Sequence, residues 1–311
     1  MKRHDQGDPQ SQASNPGLLT EAMTGIWVFA HTRPLATLAM SALLLIVTVA
    51  LLADVVATHD PLAQNVGQRL MPPGADRYFG TDGFGRDIFS RVVYGSRVSL
   101  YVGLLAVSMA SVVGISVGTF SAYRGGVLDL LVQRVIDLLL GFPFLVVALI
   151  MVVALGPSPT SVAIAVALAL APQVARLSRA SALVIKGETY VEAARAVGAG
   201  SFRVIWRHLL PNSFPPVLAQ VTGYFGVAVV AEAALSFLGL GVPPPFPSWG
   251  RMLQEGARHY FEAAPWATVF PGLALSLTVL SSALLGDALR DLLDPRRVLA
   301  ARASSQESRS H

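Results

Sequence analysis

EAARAVGAGSFRVIWRHLLPN, residues 192–212, is a charged, helix-forming stretch in a chain that otherwise runs in long apolar segments. Of the 311 residues, 53% are hydrophobic and only 14% charged, and the mean hydropathy is +0.56. A soluble domain does not carry that balance. The chain reads as an all-α polytopic membrane protein, and 192–212 as a charged, helix-forming segment between its long apolar runs.

Working outward, a bilayer core about 30 Å thick calls for about 20 apolar residues per helix. Six runs qualify: 35–53, 98–123, 132–155, 160–177, 213–238 and 263–286. Charges intrude at the ends of the third and fourth (Arg134, Asp137, Arg176) and inside the fifth at Glu232. Gly156-Pro157-Ser158-Pro159 separates the third and fourth and predicts a tight hairpin. The first run follows a long preceding segment and has no small-residue cleavage site after it, so it reads as an uncleaved anchor. Six spans leave both termini on one side. With the termini inside, 16 of the 23 Lys and Arg lie in inner segments, so the positive-inside rule places the termini and the 178–212 loop in the cytoplasm. The expected organisation is a cytoplasmic tail 1–33, a first transmembrane helix 34–53, an external loop 54–97, a core 98–294 with five transmembrane helices and the loop 178–212, and a cytoplasmic tail 295–311.

Several function classes fall away at this stage. The chain has no cysteine, so thiol chemistry and disulfides are excluded. No His cluster has metal-ligand spacing, and no basic stripe with interleaved aromatics supports nucleic-acid binding. The glycines of GTDGFGRDIFSR, 80–91, stand in the wrong order for a dinucleotide fingerprint. Asp82, Arg86, Asp87 and Arg91 instead predict local ion pairs that fold the outer loop back, with Gly80, Gly83 and Gly85 supplying turns. The proline-rich segment 239–250 ends the fifth span and is expected to lay Trp249 at the membrane interface.

Within 188–212 the pattern is helix, break, helix. Good helix formers run to Val197, Gly198 and Gly200 interrupt, Ser201 is placed to cap a second short helix, and Pro211 is expected to stop it within a turn. Phe202, Ile205, Trp206 and Leu209 fall on one face, opposite Arg203 and Arg207. That pattern fits a helix on the membrane surface and equally one in a protein groove. Ala193, Ala194 and Ala196 favour the groove, since they let a partner backbone approach, while Glu192 and Arg195 offer directional polar contacts.

At these residues the chain resembles the inner-membrane permease subunits of ATP-binding-cassette importers, whose loop reads EAA, three residues, Gly, nine residues, Ile, one residue, Leu-Pro. Glu192, Ala193, Ala194, Gly198, Leu210 and Pro211 fall on that spacing, with His208 at the Ile position. RHLLPN at 207–212 is similar to the variant of the dipeptide, oligopeptide and nickel branch. GTDGFGRDIFSR, GSRVSL at 95–100, LSFLGLG at 235–241, PSWG at 247–250 and GDALRDLLDPR at 286–296 are similar to its C-type permease. Phe79 departs from the His of many relatives. The resemblance spans about residues 35–297.

This resemblance implies a type I importer permease fold in a bacterial inner membrane. It implies a homologous second permease, two ATP-binding subunits and an external substrate-binding protein as partners, beside membrane lipid. Glu192, Ala193, Ala194, Gly198, Phe202, Leu210 and Pro211 would couple to the ATPase. The chain is then non-catalytic. ATP and Mg belong to the partner chains, in agreement with the lack of any GxxxxGK[ST] loop in this one. Dipeptides or short oligopeptides are the expected cargo, with glutathione, nickel chelates or another small solute as alternatives. Asp287, Arg290 and Asp291 would border the ATPase contact.

Glu232 stays open between two roles, a polar group in the translocation path and a structural hydrogen bond, because a carboxylate inside a span must face a cavity or a partner. Asp129, Arg134 and Asp137 read as anchors or inter-helix pairs. A secondary transporter would show repeats with several buried carboxylates, and a scaffold or channel would need no docking loop.

Overall fold

A computed structural model describes residues 33–293, so tail residues 1–32 and 294–311 lie outside it. Five helices are long and apolar enough to cross a membrane: α1 (Pro34–Leu51), α2 (Ile88–Arg124), α5 (Pro159–Lys186), α7 (Ser201–Phe237) and α9 (Trp266–Leu293). Between them lie α3 (Gly126–Leu140), α4 (Phe144–Leu155), α6 (Thr189–Ala196) and α8 (Trp249–His259). No strand occurs among the described residues.

The expected third span is not one helix. α3 and α4 meet at 90° across Gly141, Phe142 and Pro143. Pro143 has no N–H to continue the ladder and pushes Phe142 away from helical backbone, so an apolar run that looks continuous is broken in its middle.

α2, α4, α5 and α7 enclose the main core, with Val102, Ala106, Val152, Val166, Leu170 and Leu235 wholly or almost wholly buried. α2 and α5 run side by side in the same direction, Tyr101 facing Thr160 at one end and Ala122 facing Lys186 at the other, and glycines let them close together between. A Cβ on Gly118 would fall against the Ala175 carbonyl oxygen, and one on Gly114 would meet Val174. Such small-residue contacts are how helices associate where lipid removes the hydrophobic drive.

The loop 57–87 closes one end of the bundle. Asp87 accepts from the Ser90 N–H at 2.8 Å and so caps α2, which begins ten residues before the apolar run. Arg86 Nε donates to Asp82 at 2.6 Å and Arg86 Nη2 to Glu255 of α8 at 2.7 Å. Arg91, whose side chain is 1% exposed, lies 3.5 Å from Asp82 and 3.7 Å from Glu255. The local pairs with Asp82 form as expected, and both arginines also reach across the fold to Glu255. Gly83 supplies room rather than a turn, since a Cβ there would collide with the Tyr260 ring. At the loop's start, hydrogen bonds from Arg97 and from the Tyr94 hydroxyl hold the Asp54 carboxyl down at about 2.

Trp249 is not an interfacial anchor. It is 1% exposed and its Nε1 donates to the Val92 carbonyl at 3.0 Å. Ser248 caps α8 by accepting from the Arg251 N–H, which turns the ring inward against α2.

Candidate functional site

The opposite end of the bundle carries the turn that joins α5 to α7. Lys186 closes α5 by donating to the carbonyls of Ala122 and Tyr123 at 2.8 Å each. These are the last carbonyls of α2, where a cation also meets the negative end of the helix dipole. Below this tie Ala122, Ala182, Val191, Val204 and Leu209 form a small buried cluster. It fastens the turn to α2 and α5.

α6 stands away from the bundle. Only Val191 of its eight residues is buried; Glu192, Ala193 and Arg195 are exposed and Ala194 half-buried. Its end is a Schellman closure. The Gly198 N–H donates to the Arg195 carbonyl at 2.9 Å and the Ala199 N–H to the Ala194 carbonyl at 3.0 Å, with Gly198 at φ +83°. That left-handed backbone is the reason for glycine at this position.

The second helix departs from expectation in three respects. Gly200 occupies the capping position, with no side-chain cap, and Ser201 is already helical. Pro211 does not stop the helix, which runs unbroken from Ser201 to Phe237. A π segment, Ile205–Leu209, precedes Pro211, and its wider hydrogen-bonded turn absorbs the register change where proline offers no N–H. Asn212 Nδ2 donates to the His208 carbonyl at 2.6 Å across the same turn. The wider turn also changes the buried face. Val204 and Leu209 point inward, whereas Phe202 is 75% and Trp206 60% exposed.

The residues expected to couple thus divide between two surfaces. Glu192, Ala193, Ala194 and Gly198 belong to the projecting α6 and its closure. Phe202, Leu210 and Pro211 line an open apolar groove of about 1330 Å³ between α2 and α7, together with Trp206 and Phe120.

Glu232 lies elsewhere. It is fully buried, accepts from Ser99 of α2 at 3.0 Å and from Ser236 at 2.7 Å, and lines neither of the two large apolar cavities. Asp129 of α3 pairs with Arg179 of α5 at 2.6 Å. Arg290 donates to Gln220, and Asp291 pairs with Arg33 at 3.3 Å. Among the described residues no group of His, Asp or Glu could hold a metal ion. Sequence reading missed Glu255, the distant partner of Arg86 and Arg91, because nothing in local spacing links residues so far apart in the chain.

The turn is thus a projecting short helix with a Schellman closure, set between two long apolar helices. A family model described as binding-protein-dependent transport system inner membrane component matches residues 110–298, which include all of this turn. The chain belongs to this family. The permease is 45% identical over 255 residues to a putative peptide transport system permease protein of Brucella suis, covering 82% of this chain and 85% of that one. It is 40% identical over 250 residues to the dipeptide transport system permease protein DppC of Alkalihalophilus pseudofirmus, covering 80% and 82%. In fold the permease is similar to a chain of the inward-facing MetNI methionine ABC transporter. The TM-score is 0.55 at 19% identity, over 66% of this chain and 96% of that one.

Proposed function

We propose that this permease imports dipeptides or short oligopeptides as one half of the membrane path of an ATP-driven complex. The observation that carries the cargo is the identity, over four fifths of the chain, to relatives named for peptide and dipeptide transport. In this reading both termini and the 188–212 turn face the cytoplasm, an orientation that the excess of Lys and Arg on that side supports. A second, homologous permease completes the path, two ATP-binding subunits bind ATP and Mg, and an external binding protein delivers the substrate.

The exposed α6 seats in a groove of an ATPase subunit. When the ATPases close on ATP, the turn moves as one piece, because its Schellman closure and the cluster around Val191 and Leu209 resist bending. The Lys186 tie passes that displacement to the ends of α2 and α5 and biases the bundle between inward-open and outward-open states. Glu232 enters the path only in a state in which α2 and α7 part.

Uptake of a labelled dipeptide by cells carrying the wild-type chain, a deletion or Glu192→Lys tests this reading. Loss of uptake in both altered strains, with Glu192→Lys present in the membrane at normal levels, is the expected result. Unchanged dipeptide uptake in the deletion strain, with no redundant importer, removes the peptide assignment and turns the search to glutathione, nickel chelates and other solutes.

A further inference from the structure

The groove between α2 and α7 carries a chemistry of its own, separate from that of α6. Its walls are apolar, with Phe120, Phe202, Trp206 and Phe214 among them, and Arg124 is the one charged residue of the lining. The guanidinium lies over the Phe120 ring at 5.4 Å, and no carboxylate pairs with it among the described residues.

The mouth of the groove is positive for a second reason. α7 starts there, with Ser201 and Phe202 in the lining, and no side chain caps its first turn. Its leading N–H groups and the positive end of its dipole are therefore left for an anion. The last carbonyls of α2 would oppose this, but Lys186 already occupies those of Ala122 and Tyr123.

Further in, Thr119 belongs to the same wall. It is 2% exposed, and its hydroxyl has no hydrogen-bond partner among the described residues. A buried hydroxyl left unpaired costs stability until an acceptor arrives. Thr119 lies about 7.5 Å deeper along α2 than Arg124 at about 1.5 Å per residue. In a phospholipid the ester carbonyls stand in that order, between the phosphate and the acyl chains.

The length of the groove points the same way. From Arg124 to Ser111 it follows α2 for about 20 Å, a little more than half of a bilayer core about 30 Å thick. That is the depth of one leaflet. The exposed Phe202 and Trp206 gather at its charged end, as aromatic side chains do at headgroup level.

We propose that this groove holds an anionic phospholipid, its phosphate between Arg124 and the start of α7, its ester carbonyls at the Thr119 hydroxyl and an acyl chain along Ile115, Leu210 and Phe214. A zwitterionic lipid fills the apolar part equally well but brings no net charge to the mouth. The site is independent of the cargo and rests on the reading above only for its leaflet, the cytoplasmic one.

The assembled importer is placed in phosphatidylcholine bilayers with a trace of either phosphatidylglycerol or phosphatidylcholine that carries a photoreactive diazirine in one acyl chain. Labelled peptides of this chain are read by mass spectrometry. Label within 111–124 and 201–214 is divided by that on α4, whose exposed Leu145, Ile150 and Val153 sample lipid generally. The expected result is a preference for the phosphatidylglycerol probe of about fivefold, the factor that one arginine near an anionic headgroup contributes. Arg124→Gln should abolish the preference, and Arg124→Lys, which keeps the charge, should retain most of it.

Equal labelling of the groove by the two probes, or a preference that survives Arg124→Gln, overturns the proposal. No labelling of the groove by either probe, the result if the second permease or the segment 1–32 covers it, overturns it as well. Peptide import stands or falls separately, by the uptake assay.

Discussion

Gly198 and Glu232 show how one residue can matter through its backbone or through its burial. At Gly198 a Cβ would meet nothing within 4 Å, so the effect of a substitution comes from φ +83° alone. Gly198→Val should cost about 1–2 kcal/mol of local backbone energy and loosen the end of α6 without disturbing the bundle. The expected outcome is normal insertion and ATP hydrolysis by the assembled complex with a several-fold drop in transport, checked by measuring both rates on one preparation. Glu232 acts through serine partners, Ser99 and Ser236 among them. Glu232→Leu leaves the Ser99 and Ser236 hydroxyls without their acceptor and should cost about 1 kcal/mol, since polar contacts within membranes measure weaker than burial suggests. Glu232→Gln keeps an acceptor oxygen. Thermal unfolding in detergent should place the Gln variant close to wild type and the Leu variant below both. The break at Gly198 was legible in the sequence because a left-handed helix end calls for glycine. The bonding of Glu232 was not, because Ser99 lies 133 residues away.

At the scale of elements, the end of the bundle closed by the 57–87 loop is built on charge. Arg86 and Arg91 share Asp82 and Glu255, and both arginines are almost wholly buried. Removing one acid leaves guanidinium charge uncompensated. Glu255→Ala should therefore destabilise the protein by about 3 kcal/mol, the low end for a broken buried pair, because Glu255 keeps a fifth of its side chain in solvent. Limited proteolysis should show the 57–87 loop opening before the helices melt. α8 itself was hidden in the sequence. Its proline-rich approach advertises a loop, and a Trp beside a membrane segment advertises an interface, yet the Ser248 cap turns Trp249 into the fold. The long helix through Pro211, Pro215 and Pro216 was hidden for a related reason. Proline normally ends a helix, and here a π turn upstream and packing on α2, α5 and α9 outweigh the lost hydrogen bonds.

For the molecule as a whole, the bundle depends on how closely its helices approach. Gly118→Leu drives a side chain into the α5 backbone at Ala175 and Arg179, and nothing there is a flexible side-chain end that could yield. Overpacking of this kind costs about 1–3 kcal/mol or more, so the variant should accumulate in the membrane well below wild type, measured by quantitative immunoblot. Apolar run lengths alone determined that this chain is a helical membrane protein, since a bilayer leaves the backbone no other solution. The segment 188–200 was legible as a short helix closed by a left-handed glycine, because helix formers followed by glycine form a local code. Tertiary structure decided the rest: the 90° corner between α3 and α4, the π turn that exposes Phe202 and Trp206, and the joining of Glu255 to Arg91 and of Glu232 to Ser99. Each of these depends on which helices become neighbours, and in a bundle that is set by shape at contacts far apart in the chain, which no local pattern of hydropathy records.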